Sequence, residues 1–149
     1  MAESNSDLEL AAAALNSGVV HLLRGMRVVD RLAGQTPARL SALSVLVFGG
    51  PRTLGALAEA EGVAGPTMTR IVDGMVRDGL AERRPHPRDG RAVDIAATSR
   101  GERLTRDAAR RRIETIMTGL GHLTPADRDR LVSAAALIDR LAGVIRDLS

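Results

Sequence analysis

Thr53-Leu-Gly-Ala-Leu-Ala-Glu-Ala-Glu61 reads as a short helix closed by Gly62. A second helix opens near Gly65-Pro66-Thr67-Met68-Thr69-Arg70 and runs to Arg77-Asp78-Gly79. Leu80 to Arg84 then reads as a strand, Pro85-His-Pro-Arg-Asp-Gly90 as a loop, and Arg91-Ala-Val-Asp-Ile-Ala-Ala97 as the returning strand. Helix, tight turn, helix and β-ribbon in that order make a winged helix, whose second helix can enter a DNA major groove. In that second helix Ile71, Val72, Met75 and Val76 form the apolar stripe, with Leu80 just beyond. Thr67, Thr69, Arg70 and Asp73 lie off it. Val93 and Ile95 alternate with Asp94 and Ala96, the pattern of a half-buried strand.

The flanks are helical. Leu8, Leu15, Leu22 and Val29 recur every seven residues from Asp7 onward, with Ala12, Val19 and Met26 between them. This spacing predicts a long helix to about Leu32, ended by Gly34 and Pro37. Arg39 to Phe48 reads as a further helix, stopped by Gly49-Gly50-Pro51. After the wing, Thr98 or Ser99 caps a helix that runs to about Gly121. Thr124 is an N-cap candidate with Pro125 in the first turn of a last helix, where Leu131, Ile138 and Ile145 interleave with Ala134, Leu141 and Leu148.

The expected fold is therefore mainly α with a small β-wing. A winged helix-turn-helix over 35–99 is flanked by helical regions over 7–34 and 100–149, after a disordered N-terminus over 1–6. The terminal helices carry more apolar face than one winged helix covers. Pairing with a second copy buries the excess and predicts a homodimer; packing of both helices on their own domain is the alternative.

Composition narrows the function classes. Apolar residues make up 44% of the 149 and charged residues 26%, enough for a real core and too structured a mix for wholesale disorder. Phe48 is the single aromatic, so the core is aliphatic. No apolar run approaches the roughly 20 residues that cross a bilayer, and Met-Ala-Glu-Ser-Asn-Ser-Asp7 lacks the basic opening of a secretory signal. A cytoplasmic protein without membrane contact is the simplest reading. Zero cysteines exclude disulfides, thiolate metal sites and a thiol switch. His21, His86 and His122 form no metal-ligand spacing, and His21, beside the Leu22 stripe, reads as a partly buried structural histidine. No glycine-rich phosphate loop and no Gly-x-Ser-x-Gly elbow occurs. Neither an enzymatic role nor a cofactor is indicated.

The net charge of +3 is unevenly distributed. Between Arg83 and Arg112 stand ten arginines against Asp89, Asp94, Glu102 and Asp107, so the remainder of the chain is slightly acidic. Such a block is the footprint of polyanion binding. A solvated helix face is the competing reading of Arg103 to Arg112.

Gly62-Val-Ala-Gly-Pro66-Thr67-Met-Thr69-Arg70-Ile-Val-Asp-Gly-Met75 resembles the recognition helix of the multiple-antibiotic-resistance regulator (MarR) family of winged-helix regulators. Gly79-Leu-Ala-Glu-Arg83 and Pro87-Arg88-Asp89-Gly90-Arg91-Ala-Val93 are similar to that family's wing, and Thr98-Ser-Arg-Gly101 stands where members often read Leu-Thr-x-x-Gly. The resemblance spans nearly the whole chain. It implies a homodimer on double-stranded DNA, with two recognition helices in successive major grooves and wings at the flanking minor grooves. It also implies a small-molecule effector held between the dimerisation helices and the winged helix. Here that cleft involves the first helix, the Arg39–Phe48 helix and the helix after the wing, with aliphatic walls and nearby arginines that suit a hydrophobic acid such as an aromatic carboxylate. Carried residue by residue, the resemblance gives Pro66, Thr67, Thr69 and Arg70 to the DNA-binding helix and Arg84, Arg88, Asp89 and Arg91 to the wing. Ala64 departs from the usual serine or threonine cap, Gly65 is the other capping candidate, and His86 replaces a frequent aspartate.

Each site residue has two readings. Arg70 suits bidentate bonding to guanine, against a phosphate contact or a salt bridge to Asp73 or Glu59. Thr67 and Thr69 suit phosphate or a thymine methyl, against local capping of their own helix. Arg88 and Arg91 flank Asp89-Gly90, a turn-forming pair that would project the loop tip toward a narrow minor groove, against a solvated loop. Asp89 orients an arginine rather than meeting phosphate. The expected function is sequence-specific transcriptional regulation, by a repressor on a pseudo-palindromic operator. A non-specific architectural DNA-binding protein and a protein-interaction dimer without DNA binding are the alternatives.

Overall fold

The computed structural model describes residues 5–31, 34–87 and 89–148, with the side chains of 89–91 outside the description. Its elements run α1 (Asn5–Arg31), α2 (Pro37–Gly49), β1 (Arg52–Thr53), α3 (Leu54–Ala60), α4 (Gly65–Arg77), β2 (Ala81–His86), β3 (Asp89–Ala97), α5 (Ser99–Gly121) and α6 (Pro125–Asp147). The chain is mainly α with one small antiparallel sheet, a winged helix. It forms two compact units, Met1–Arg112 and Ile113–Ser149. No described helix is long and apolar enough to cross a membrane.

Local chemistry sets the boundaries. α1 begins at Asn5, whose Nδ2 donates to Glu9 Oε1 at 2.7 Å, so Asn5 and Ser6 are helical rather than frayed. Pro37, expected only as a stop signal, instead opens α2 behind the Thr36 cap, whose Oγ1 accepts from the Arg39 N–H. Thr53 caps α3 in the same way, accepting from Ala56 N–H at 3.3 Å. Thr98 serves two elements: its Oγ1 accepts from Gly101 N–H at 3.1 Å and donates to the Gly79 carbonyl at 2.7 Å, tying the start of α5 to the end of α4.

The core of the first unit lies beneath the helix-turn-helix. Leu43 and Leu46 of α2, Leu57 of α3, Met68, Val72 and Met75 of α4, then Leu80 and Ile95, are all buried. Met68 belongs to the buried stripe of α4, which the apolar periodicity alone began only at Ile71. Gly62 turns the chain from α3 into α4 with φ 61°, a left-handed conformation that costs a glycine little.

The sheet departs from the expected two-stranded ribbon. β1 adds a third strand, in the order β1-β3-β2, with Arg52 opposite Ile95 and Thr53 opposite Asp94. As the central strand, β3 buries Asp94, Ile95 and Ala96 alike while Val93 is 48% exposed, so its apolar alternation does not sort core from solvent. Asp94 Oδ1 is buried without a hydrogen-bond partner. The wing strands also extend further than the sequence suggests. His86 pairs with Asp89, so Asp89-Gly90 belongs to β3.

Apolar side chains of the flanking helices remain uncovered. Apart from Asp30, every described residue of α1 is exposed or half-buried, including Leu8, Leu15, Val19 and Leu22. His21, expected to be partly buried, is exposed. In the second unit α6 buries no residue and exposes Leu131, Leu137, Ile138 and Leu141.

Candidate nucleic-acid interface

α4 sorts its side chains sharply. Met68, Val72 and Met75, spaced by four and three residues, turn inward, whereas Pro66, Thr67, Arg70 and Arg77 are exposed on the other side. The helix starts at Gly65 with Ala64 at the N-cap, and no side chain caps it. Gly65 is therefore the first helical residue and not the cap. The uncapped start leaves the positive end of the helix dipole without a neighbouring side-chain acceptor, an environment favourable to an anion such as phosphate.

Intramolecular partners distinguish the polar side chains on and beside this helix. Thr69 is half-buried and its Oγ1 donates to the Gly65 carbonyl at 3.0 Å, so its proton is committed to its own helix. Asp73 accepts from Arg83 Nη2 at 2.6 Å, which joins β2 to α4 and removes Asp73 as a partner for Arg70. Arg84 pairs with Glu82 on the same strand. Arg70 and Arg77 make no hydrogen bond or ion pair among the described residues. Arg77 was not singled out from the sequence, although it follows Arg70 by seven residues on the same exposed side. It also occupies the last turn, where a cation complements the dipole.

On the wing, Arg84 faces Asp94 in register, and Arg83 faces Ile95. Arg88 lies outside the described residues, as do the side chains of Asp89 and Arg91. The sheet thus brings Arg83 beside α4, while Arg84 pairs with Glu82 on its own strand, so both are engaged in ion pairs. Arg70 is the exposed, unengaged cation nearest the uncapped start of the helix in sequence.

A second feature lies in the same unit. A cavity of about 400 Å³ is lined by α1, α2 and the Arg112 side chain of α5. Asp30 and Arg112 on its wall form two hydrogen bonds, Nε to Oδ1 at 2.6 Å and Nη2 to Oδ2 at 2.8 Å. The hydrogen bond to Asp30, outweighing burial, raises the Arg112 guanidinium pKa above its ordinary value. No cluster of histidine, aspartate and glutamate among the described residues is arranged to hold a metal.

Residues 33–92 match the model of the MarR family. An HTH-type transcriptional regulator of Mycobacterium bovis is 37% identical over 134 residues, 90% of this chain and 93% of the relative. The chain belongs to the MarR family. As a MarR-family transcriptional regulator it is a DNA-binding protein, and α3 and α4 are its helix-turn-helix. A MarR-family protein from Bacillus stearothermophilus superposes with a TM-score of 0.82 at 24% identity, covering 97% of this chain and 99% of that one. The structure of NadR in complex with 4-hydroxyphenylacetate superposes with a TM-score of 0.64 at 22% identity over 95% and 94% of the two chains. Both share the MarR winged-helix fold.

Proposed function

We propose that this MarR-family regulator is a repressor that binds a pseudo-palindromic operator as a homodimer and is released by a small acidic ligand. The observation that carries the DNA reading is Arg70, exposed and without a partner among the described residues on the side of α4 that faces away from the core. A guanidinium so placed can bond guanine O6 and N7 together, discriminating by roughly 1–3 kcal/mol. Pro66 and Thr67 at the uncapped helix start approach the backbone, and the Thr69 methyl is available for apolar contact while its hydroxyl bonds Gly65. Arg84, Arg88 and Arg91 serve the wing, with Asp89 orienting an arginine.

The exposed leucines and valines of α1, and those of α6 in the other unit, support a dimerisation region built from 7–34 and 100–149 around a reading domain over 35–99. A two-fold dimer of this kind places its half-sites one DNA turn apart, about 34 Å.

The cavity supports the effector reading. Leu23 and Met26 give it apolar wall, while Arg27 and Arg112 outnumber Asp30 and favour an anion. That NadR holds 4-hydroxyphenylacetate makes an aromatic carboxylate the first class to try. Such a ligand lowers DNA affinity only by its preference for the conformation that does not bind DNA.

Selection of sites from a random duplex pool, at fixed near-physiological salt, tests the DNA reading. An inverted repeat is expected, with affinity roughly 10³-fold or more above scrambled duplex. Enrichment without a motif would instead favour an architectural protein, for which the arginine-rich N-terminal half of α5 would be the contact surface.

A further inference from the structure

The cavity and the helix-turn-helix share one side chain. Ser41 of α2 lines the cavity, and its Oγ donates to Glu61 Oε1 at 3.0 Å. Glu61 is the C-cap of α3, one residue before the Gly62 turn from which α4 starts. α2 holds the other end of α4 separately: Arg39 Nη1 donates to Asp78 Oδ2 at 2.6 Å, and Arg39 is not part of the cavity wall. Of the two side-chain hydrogen bonds that join α2 to the helix-turn-helix among the described residues, the one at Ser41 is therefore open to a cavity ligand.

The donors of the cavity are already distributed. Ser44 Oγ donates to the Leu40 carbonyl at 2.8 Å, and Arg112 spends two donors on Asp30. Arg27 has no partner among the described residues. A serine hydroxyl carries a single proton and two acceptor lone pairs. It cannot donate to Glu61 and to a ligand carboxylate together.

Resting on the reading of the cavity as an effector site, we propose that Ser41 is where its occupancy is sensed, and that the ligand's chemistry sets the response. A carboxylate drawn in by Arg27 accepts the Ser41 hydrogen bond in place of Glu61 and repels Glu61, which frees the turn that aims α4 from its hydrogen bond to α2. A neutral ligand that donates a hydroxyl to Ser41 uses a lone pair and leaves the Glu61 bond intact. Acidic ligands thus weaken DNA binding, whereas their neutral alcohol counterparts bind without releasing DNA.

A carboxylate fixed at position 41 stands in for the ligand, so the test needs no identified effector. Operator affinity of the full chain is measured by fluorescence anisotropy for the wild type, Ser41→Asp, and Ser41→Asp combined with Glu61→Gln. Because one hydrogen bond to a charged group at an exposed position is at stake, Ser41→Asp should weaken binding by about three- to tenfold. Glu61→Gln should restore it, since its amide donates to the new carboxylate. Unchanged affinity in Ser41→Asp, or a loss that Glu61→Gln leaves in place, overturns the proposal. If Ser41→Asp melts early, the cycle of Ser41→Ala, Glu61→Ala and the double variant decides. A double variant no weaker than either single supports the tie, and additive losses overturn it. A wild type that binds no selected duplex removes the DNA reading itself, an outcome distinct from equal affinities among variants of a wild type that binds.

Discussion

Asp30 and Arg112 stand 82 residues apart in the chain and close a two-point ion pair, with the carboxylate 8% exposed and the guanidinium 37%. Removing the two partners should not cost the same. Arg112→Ala strands a buried carboxylate, with an expected loss of about 2–4 kcal/mol, whereas Asp30→Asn leaves a half-exposed cation that water solvates, about 1–2 kcal/mol. Chemical denaturation of both variants checks the order.

The same pair predicts a flat pH response. A guanidinium whose folded pKa is raised contributes stability that is fully present below its unfolded value and is lost only as pH climbs through the folded one. That window lies far to the alkaline side of neutral pH. Denaturation midpoints of the wild type and Arg112→Ala should therefore differ by the same amount at pH 6 and pH 9.

Two glycines give opposite predictions. A Cβ on Gly101 would meet the Leu80 carbonyl oxygen at 2.1 Å, a backbone atom that cannot move away alone. The roughly 1 kcal/mol that alanine gains in a helix is outweighed, and Gly101→Ala should destabilise by about 2 kcal/mol or more. At Gly74 the obstacle is the guanidinium of Arg39, with Nη2 at 2.1 Å and Cζ at 2.8 Å. A flexible side chain can swing aside at the expense of its bond to Asp78, so Gly74→Ala should stay within about 1 kcal/mol of the wild type. Thermal melting separates the two cases.

Ala64 offers a gain. Ala64→Ser supplies the missing N-cap of α4 and should stabilise the chain by about 0.5–2 kcal/mol. Ala64→Asp should stabilise similarly but weaken DNA binding, because its carboxylate would stand at the helix end proposed to meet phosphate. Melting and DNA titration of the same two variants test both halves.

How far the sequence carries these conclusions differs by element. The caps Thr124 and Thr98, the latter one of two candidates, and the helices they start were legible because capping and 3.6-residue periodicity are local, whereas Thr53 reads as the first residue of its helix and is instead its cap. β1 was not, since two residues have no period, and with it went the centrality of β3 and the burial of Asp94. The extent of the wing was misread because Asp89-Gly90 is a strong turn pair, yet both residues belong to β3 and Asp89 pairs with His86 across a register shift. At the candidate site the composition of α4 identified Arg70, and tertiary contacts bear only on its salt-bridge alternative. Asp73, a possible partner within the helix, is taken by Arg83, ten residues on. Ser41 carried no signal at all, because its significance lies in touching both a cavity and Glu61.

The most direct test of the DNA reading is the affinity of wild type and Arg70→Ala for the selected operator and for a scrambled duplex at one salt concentration. If Arg70 reads a base, the variant should bind the operator about 5- to 150-fold more weakly and the scrambled duplex almost equally, the fold-change that 1–3 kcal/mol of discrimination implies. An equal loss on both duplexes would make Arg70 a phosphate contact, and no loss on either would contradict the placement of α4 as the reading helix.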